Sequence, residues 1–152
     1  WQSSDFKPNE HTEFADFVIA VTNKSLQCLN DYGYVQNAYK LEMLNAWFNI
    51  NQEGNSNQIH THGGSFISGV YYVKADTDQS ELIFYKNFTE DYIITSAGDI
   101  ERFTPISGAT CRYPPKTGRL VLFPSYVPHG VMPSTSKDER ISLAFNMRMS
   151  NV

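Results

Sequence analysis

A chain of 152 residues is long enough for one domain with a buried core. Its 12 basic and 16 acidic residues give a net charge of -4, and the Lys and Arg are scattered rather than striped, which argues against a nucleic-acid partner. No apolar run approaches the roughly 18 residues needed to span a bilayer, so no membrane role is expected.

Cys28 and Cys111 lie far apart and do not make a disulfide framework. Free thiols in a reducing compartment, the cytoplasm, are therefore expected. The first residue is Trp1 rather than Met, which reads as a trimmed chain or a fragment. The aromatic content (10 Phe, 9 Tyr and 2 Trp) permits a homodimer but does not require one, so a monomer is equally consistent.

In chain order, residues 1–9 are polar, end in Pro8-Asn9, and read as a loose arm. From 10 to 29 the apolar residues Phe14, Phe17, Val18, Val21, Leu26 and Leu29 recur at helical spacing. An amphipathic helix is predicted there, interrupted near Asn23 and stopped by Asp31-Tyr32-Gly33. Residues 40–50 suit a strand, and 51–57 a polar loop. Residues 66–73 form a β-branched and aromatic run typical of a strand, and 81–85 a shorter one. Residues 86–113 are long, polar and aromatic, with Gly98, Pro105 and Gly108. Such a stretch inside a small domain suggests either a lid, here carrying Tyr92, Phe103 and Tyr113, or a surface insertion.

A turn at 114–118 precedes a strand at 119–123, and a short loop then delivers His129. The last predicted strand, 140–147, alternates cleanly. Arg140, Ser142, Ala144 and Asn146 share one face, and Ile141, Leu143, Phe145 and Met147 the other. One helix followed by many short strands predicts a mainly β jelly roll over residues 40–147, with the helix packed on one sheet. The apolar face of the last strand would lie under the helix, and its polar face inside the barrel.

Three of the four histidines fall into one pattern: His60-Thr61-His62 and, much later, His129. On an extended strand His60 and His62 point to the same side. Imidazole nitrogens bind iron, zinc, copper or nickel well, so the three form a candidate metal site. The alternative is two loop histidines and one beside a proline turn. Arg140 inside a barrel needs an anionic partner, because a buried, unpaired guanidinium is costly. A bidentate carboxylate with Ser142 and Tyr72 as hydroxyl donors fits that need. On a sheet edge, Arg140 would instead pair with Asp138 or Glu139.

The stretch Trp47-Phe48-Asn49-Ile50-Asn51, His60-Thr61-His62 and Ser68-Gly69-Val70-Tyr71-Tyr72-Val73 resembles the iron(II)- and 2-oxoglutarate-dependent oxygenases. So do residues 118–125, His129-Gly130-Val131, Pro133 and Arg140-Ile141-Ser142. The branch most similar is a small, prolyl-hydroxylase-like one common in marine microbes and their phages. The resemblance covers residues 41–147 and implies a double-stranded β-helix. His60 would be the first iron ligand and His129 the last. Arg140, with Ser142 and Tyr72, would hold the distal carboxylate of 2-oxoglutarate, and Asn49 would contact the cosubstrate. The implied reaction uses dioxygen and decarboxylates 2-oxoglutarate to succinate. It would hydroxylate an unidentified substrate, either a peptidyl residue such as proline or a small molecule.

One position departs from the usual His-x-Asp or His-x-Glu pattern, since His62 stands where the carboxylate is expected. Either His62 is a ligand or it turns away and water takes its place. Glu53, Asp76 and Asp78 lack strand spacing to His60. Two other readings stay open on these residues. One is a cupin-like three-histidine metal protein that does not use 2-oxoglutarate, which leaves Arg140 without a purpose. The other is a degenerate, non-catalytic jelly roll.

Overall fold

The computed structural model describes residues 1–35, 37–86, 101–102 and 108–152. Tyr92 and Phe103, named above as lid residues, lie outside them. Helix α1 (Ala15–Asp31) is followed by eight strands: β1 (Tyr39–Asn51), β2 (Asn57–His60), β3 (Ile67–Lys74), β4 (Leu82–Tyr85), β5 (Thr110–Tyr113), β6 (Leu120–Pro124), β7 (His129–Val131) and β8 (Arg140–Asn151). They form two antiparallel four-stranded sheets, ordered β1-β8-β3-β6 and β2-β7-β4-β5. This is the predicted jelly roll, a double-stranded β-helix with the helix on one sheet.

The alternation of β8 organises the first sheet. Its apolar side chains Leu143, Phe145 and Met147 pack with Leu41, Met43 and Ala46 of β1, Ile67 of β3, and Val21 and Leu29 of α1. Fully burying one such side chain contributes about 1.5–3 kcal/mol. Phe17 of α1 meets Phe145 edge-on at 6.0 Å. The ring of Phe145 lies where a side chain on Gly69 of β3 would stand, since a Cβ there would come within 2.2 Å of it.

A register shift between Met43 and Asn45 sets which residues of β1 face the interior. Before it, the odd-numbered Leu41 and Met43 face the helix-side core; after it, the even-numbered Ala46 and Phe48 do. One extra residue in a strand exchanges its two faces. Asn45, Trp47, Asn49 and Asn51 are thereby turned away from the helix.

Four expectations need correction. The helix runs unbroken through Asn23, because Val21, Ser25 and Leu29 keep one continuous buried stripe. Residues 1–9 are not loose: Phe6 exchanges backbone hydrogen bonds with Ala46 at 2.8 and 2.9 Å, Ser3 donates to the Phe48 carbonyl, and Phe6 stacks on Phe48. The arm thus covers the exposed edge of β1, whose unpaired backbone groups favour such a strand. The expected irregular segment ends early, because Thr110–Tyr113 pair with β4 as β5 and put Tyr113 in a sheet. β2 ends at His60, so Thr61 and His62 belong to the following turn and not to a strand.

Candidate functional site

The histidines enter from the second sheet. His60 and His129 are directly opposite each other in the β2–β7 pair. His62 is held by its backbone N–H, which donates to the Ser125 carbonyl at 2.9 Å. The three ring centroids lie 4.4, 4.9 and 5.0 Å apart. One nitrogen from each ring falls within 4.8 Å of the others, and among the described residues no carboxylate joins them. Glu53, Asp76 and Asp78 are not part of the cluster.

Backbone carbonyls orient two of the rings. The Nδ1 of His60 lies 2.7 Å from the Gln58 carbonyl, and that of His129 lies 2.9 Å from the Val127 carbonyl. An Nδ1–H donated to a carbonyl leaves Nε2 as the free lone pair. The Nε2 atoms of His62 and His129 are 3.2 Å apart. Two nitrogens each about 2.1 Å from an ion and at right angles would be about 3 Å apart, so this spacing suits a shared metal.

Burial, then the proximity of His129 and His60, lowers the His62 pKa from 6.5 to about 4. His129 is also lowered, chiefly by burial against Phe123 and Phe84, although its bond to Val127 acts in the opposite direction. His62 and His129 are therefore neutral near pH 7, the form that ligates metals.

The first sheet faces the histidines with a polar field. Its register places Asn51 opposite Arg140, and Asn49, Ser142 and Tyr72 side by side across β1, β8 and β3. Directly paired residues share a face, and Asn49, Ser142, Tyr72 and Arg140 line one hollow with His60, His62 and His129. Arg140 is only 3 % exposed and Tyr72 only 1 %. One guanidinium nitrogen of Arg140 donates to the Ser80 carbonyl at 2.6 Å and another to Asn51 Oδ1 at 3.0 Å. Its Nε is buried with no partner among the described residues. The edge pairing with Asp138 or Glu139 does not occur: Glu139 accepts instead from Gln52, and the Asp138 carbonyl from Gln79. Tyr72 lies under Arg140, with the guanidinium carbon 5.9 Å from its ring centre.

Asn51 and Trp47 belong to the stretch that carries the family resemblance, but the sequence alone assigned them no role. They flank Asn49 at two-residue spacing on the same strand face, and that periodicity would have found them. Trp47 packs its ring 5.6 Å from that of His62.

A jelly roll with imidazoles clustered beside one sheet and a buried guanidinium on the facing sheet is the scaffold of non-haem iron oxygenases that use a 2-oxoacid. The chain belongs to the family described as "Putative 2OG-Fe(II) oxygenase", whose model matches residues 45–146. No curated protein matches it in sequence. Among solved structures it is similar to a Pseudomonas putida prolyl-4-hydroxylase (TM-score 0.61, 18% identity, covering 95% of this chain and 70% of that one). It is also similar to HygX from Streptomyces hygroscopicus, solved with nickel and 2-oxoglutarate bound (TM-score 0.60, 11% identity, 95% and 69%). A third similar structure is an oxidoreductase of the 2OG-Fe(II) oxygenase family from Burkholderia pseudomallei (TM-score 0.58, 12% identity). The match covers 81% of this chain but only 50% of that protein. At these identities the likeness is one of fold.

No helix among the described residues is long and apolar enough to cross a membrane. Cys28 and Cys111 are both free thiols.

Proposed function

We propose that the chain is an iron(II)- and 2-oxoglutarate-dependent dioxygenase that hydroxylates a substrate at the mouth of the hollow. His60, His62 and His129 would hold the metal through neutral imidazoles. Arg140 would take the far carboxylate of 2-oxoglutarate, with Ser142, Tyr72 and Asn49 beside it. The observation that carries this reading is the buried Arg140, aimed into the hollow of the three histidines with its Nε unpartnered. A buried guanidinium with open hydrogen-bonding capacity calls for an anion, and a diacid reaching from the metal to Arg140 supplies one.

The donor set fits iron(II), because imidazole suits borderline divalent metals and three protein ligands leave room for exogenous ones. Bound iron and 2-oxoglutarate would supply the dioxygen chemistry, with succinate and carbon dioxide as co-products. The protein binds, orients and excludes water. The carbonyls of Gln58 and Val127 fix the His60 and His129 rings, while Trp47 packs on His62. Asn51 and the Ser80 carbonyl hold the guanidinium of Arg140, a residue that lines the hollow. Phe123 and Phe84 shield His129 from solvent. A three-histidine site carries no ligand charge, so the carboxylates of 2-oxoglutarate would balance the metal's charge.

The test is succinate formation by purified, iron-loaded protein given 2-oxoglutarate and oxygen without a substrate. Slow uncoupled turnover is expected. Protein that neither binds nor consumes 2-oxoglutarate would overturn the proposal. A metal protein without 2-oxoglutarate chemistry would still bind iron but would give Arg140 nothing to hold.

A further inference from the structure

A groove opens beside the histidines, away from Arg140. His60, His62, Asn45, Trp47, Asn146 and Asp5 of the N-terminal arm line it. Among the described residues, Asp5 is the only carboxylate along this groove, and no Lys or Arg lines it. The stretches 87–100 and 103–107 contain no Lys or Arg either. Among the described residues, Asp5 makes no salt bridge.

A directed chain of hydrogen bonds ends on this carboxylate. Asn45 Nδ2 donates to Asp5 Oδ2 at 2.7 Å. Asn146 Nδ2 donates to Asn45 Oδ1 at 3.1 Å, and Ser68 Oγ donates to Asn146 Oδ1 at 2.7 Å. Ser68 Oγ also lies 2.8 Å from Ser125 Oγ. A carboxylate only accepts, so Asn45 must present its amide nitrogen to Asp5, and each earlier member then has one possible orientation. Ser68 spends its single proton on Asn146, which makes Ser125 the donor at the root. Every donor therefore points toward Asp5, and aligned bonds polarise one another. Ser68, Ser125 and Asn146 are all buried. Ser125 also holds the His62 backbone, so one structure anchors both the candidate metal ligand and the charge at the mouth.

We infer that Asp5 is a substrate-recognition residue that selects a cationic group, such as an amine, beside the proposed metal centre, and that the groove rejects anionic substrates. This rests on the oxygenase reading above and supplies its substrate class. The aromatic face of Trp47 and the flanking amides suit the remainder of a molecule that is apolar on one side and polar on the other.

The test uses three probes of one shape: cyclohexylammonium, cyclohexanol and cyclohexanecarboxylate. Their binding to the full chain, loaded with iron and 2-oxoglutarate without oxygen, is followed by ligand-observed nuclear magnetic resonance. The ammonium probe should bind best and the carboxylate worst. Asp5→Asn should weaken the ammonium probe about fivefold, as expected for one partly exposed ion pair, and leave the alcohol unchanged. Asn45→Leu keeps the charge but removes its last donor, and should weaken the ammonium probe by a smaller factor. Equal binding of all three probes, no binding of any, or an ammonium preference that survives Asp5→Asn would each overturn the inference. Succinate formation by the wild-type protein without a probe reports separately on the oxygenase reading.

Discussion

Asn51 stands directly opposite Arg140 on neighbouring strands, and its Oδ1 accepts a 3.0 Å hydrogen bond from the guanidinium. Asn51 is thus a positioning residue for the proposed anion site. Asn51→Ala should weaken 2-oxoglutarate binding about tenfold, the range for a hydrogen bond to a charged group. Arg140→Lys should weaken it more, because an ammonium cannot present a fork to a carboxylate. Calorimetric titration of the iron-loaded protein without oxygen measures both. Unchanged affinity in Arg140→Lys would remove Arg140 from the site.

Metal affinity should depend on His129 most sharply, since it is the most buried of the three ligand candidates. His129→Ala should lower iron or cobalt affinity by about a hundredfold or more, a loss at least as large as that for outer-shell partners. His62→Asp should retain metal, because it restores a two-histidine, one-carboxylate set. Gly130→Ala is a subtler probe. A Cβ at Gly130 would come within 2.9 Å of the Asn57 carbonyl, pushing β2 from β7 and separating His60 from His129. Weaker metal binding with a folded circular-dichroism spectrum is expected.

Acid should destabilise the metal-free protein through His62. Its pKa is 6.5 ordinarily and about 4 when folded, so the unfolded chain takes up the proton first. Protonation then favours unfolding: this part of the stability is complete above about 6.5 and is lost progressively as pH falls toward about 4. Because His62 is partly exposed, the loss should be modest. Thermal melts across that window should show a steeper decline for wild type than for His62→Gln. Parallel declines would contradict it. Metal affinity should fall over the same window, because protons and metal compete for the same nitrogens.

Gly69→Ala should cost about 1–3 kcal/mol by overpacking, because the added methyl meets the ring of Phe145 in a filled core. Urea denaturation should show a lower midpoint, and Phe145→Leu in the same chain should recover part of the loss.

Much of this molecule was legible in one dimension. The alternation of 140–147 assigned Arg140 and Ser142 to one face and Leu143, Phe145 and Met147 to the other, and the structure follows it. Backbone geometry alone sorts strand side chains into two sets, so a two-residue period announces a half-buried strand. The histidine spacing announced a cluster, although for His62 the strand reasoning was wrong: a turn, held by Ser125, swings it in. β2, β5 and β7 were not identified as strands. They are three or four residues long and lack the run of β-branched and aromatic residues that marks 81–85, and they are defined by the strands that pair with them.

The amino-acid sequence by itself determined the faces of the last strand, the candidate ligands and the basic residue that faces them, because those depend on local periodicity and side-chain chemistry. Only the tertiary structure decided that Asn51 holds Arg140, that a bulge in β1 turns Trp47 and Asn49 inward, and that Asp5 folds back to the mouth. These relationships join residues 40 to more than 100 positions apart. No local pattern encodes such pairings, which exist only once the sheets have set their register.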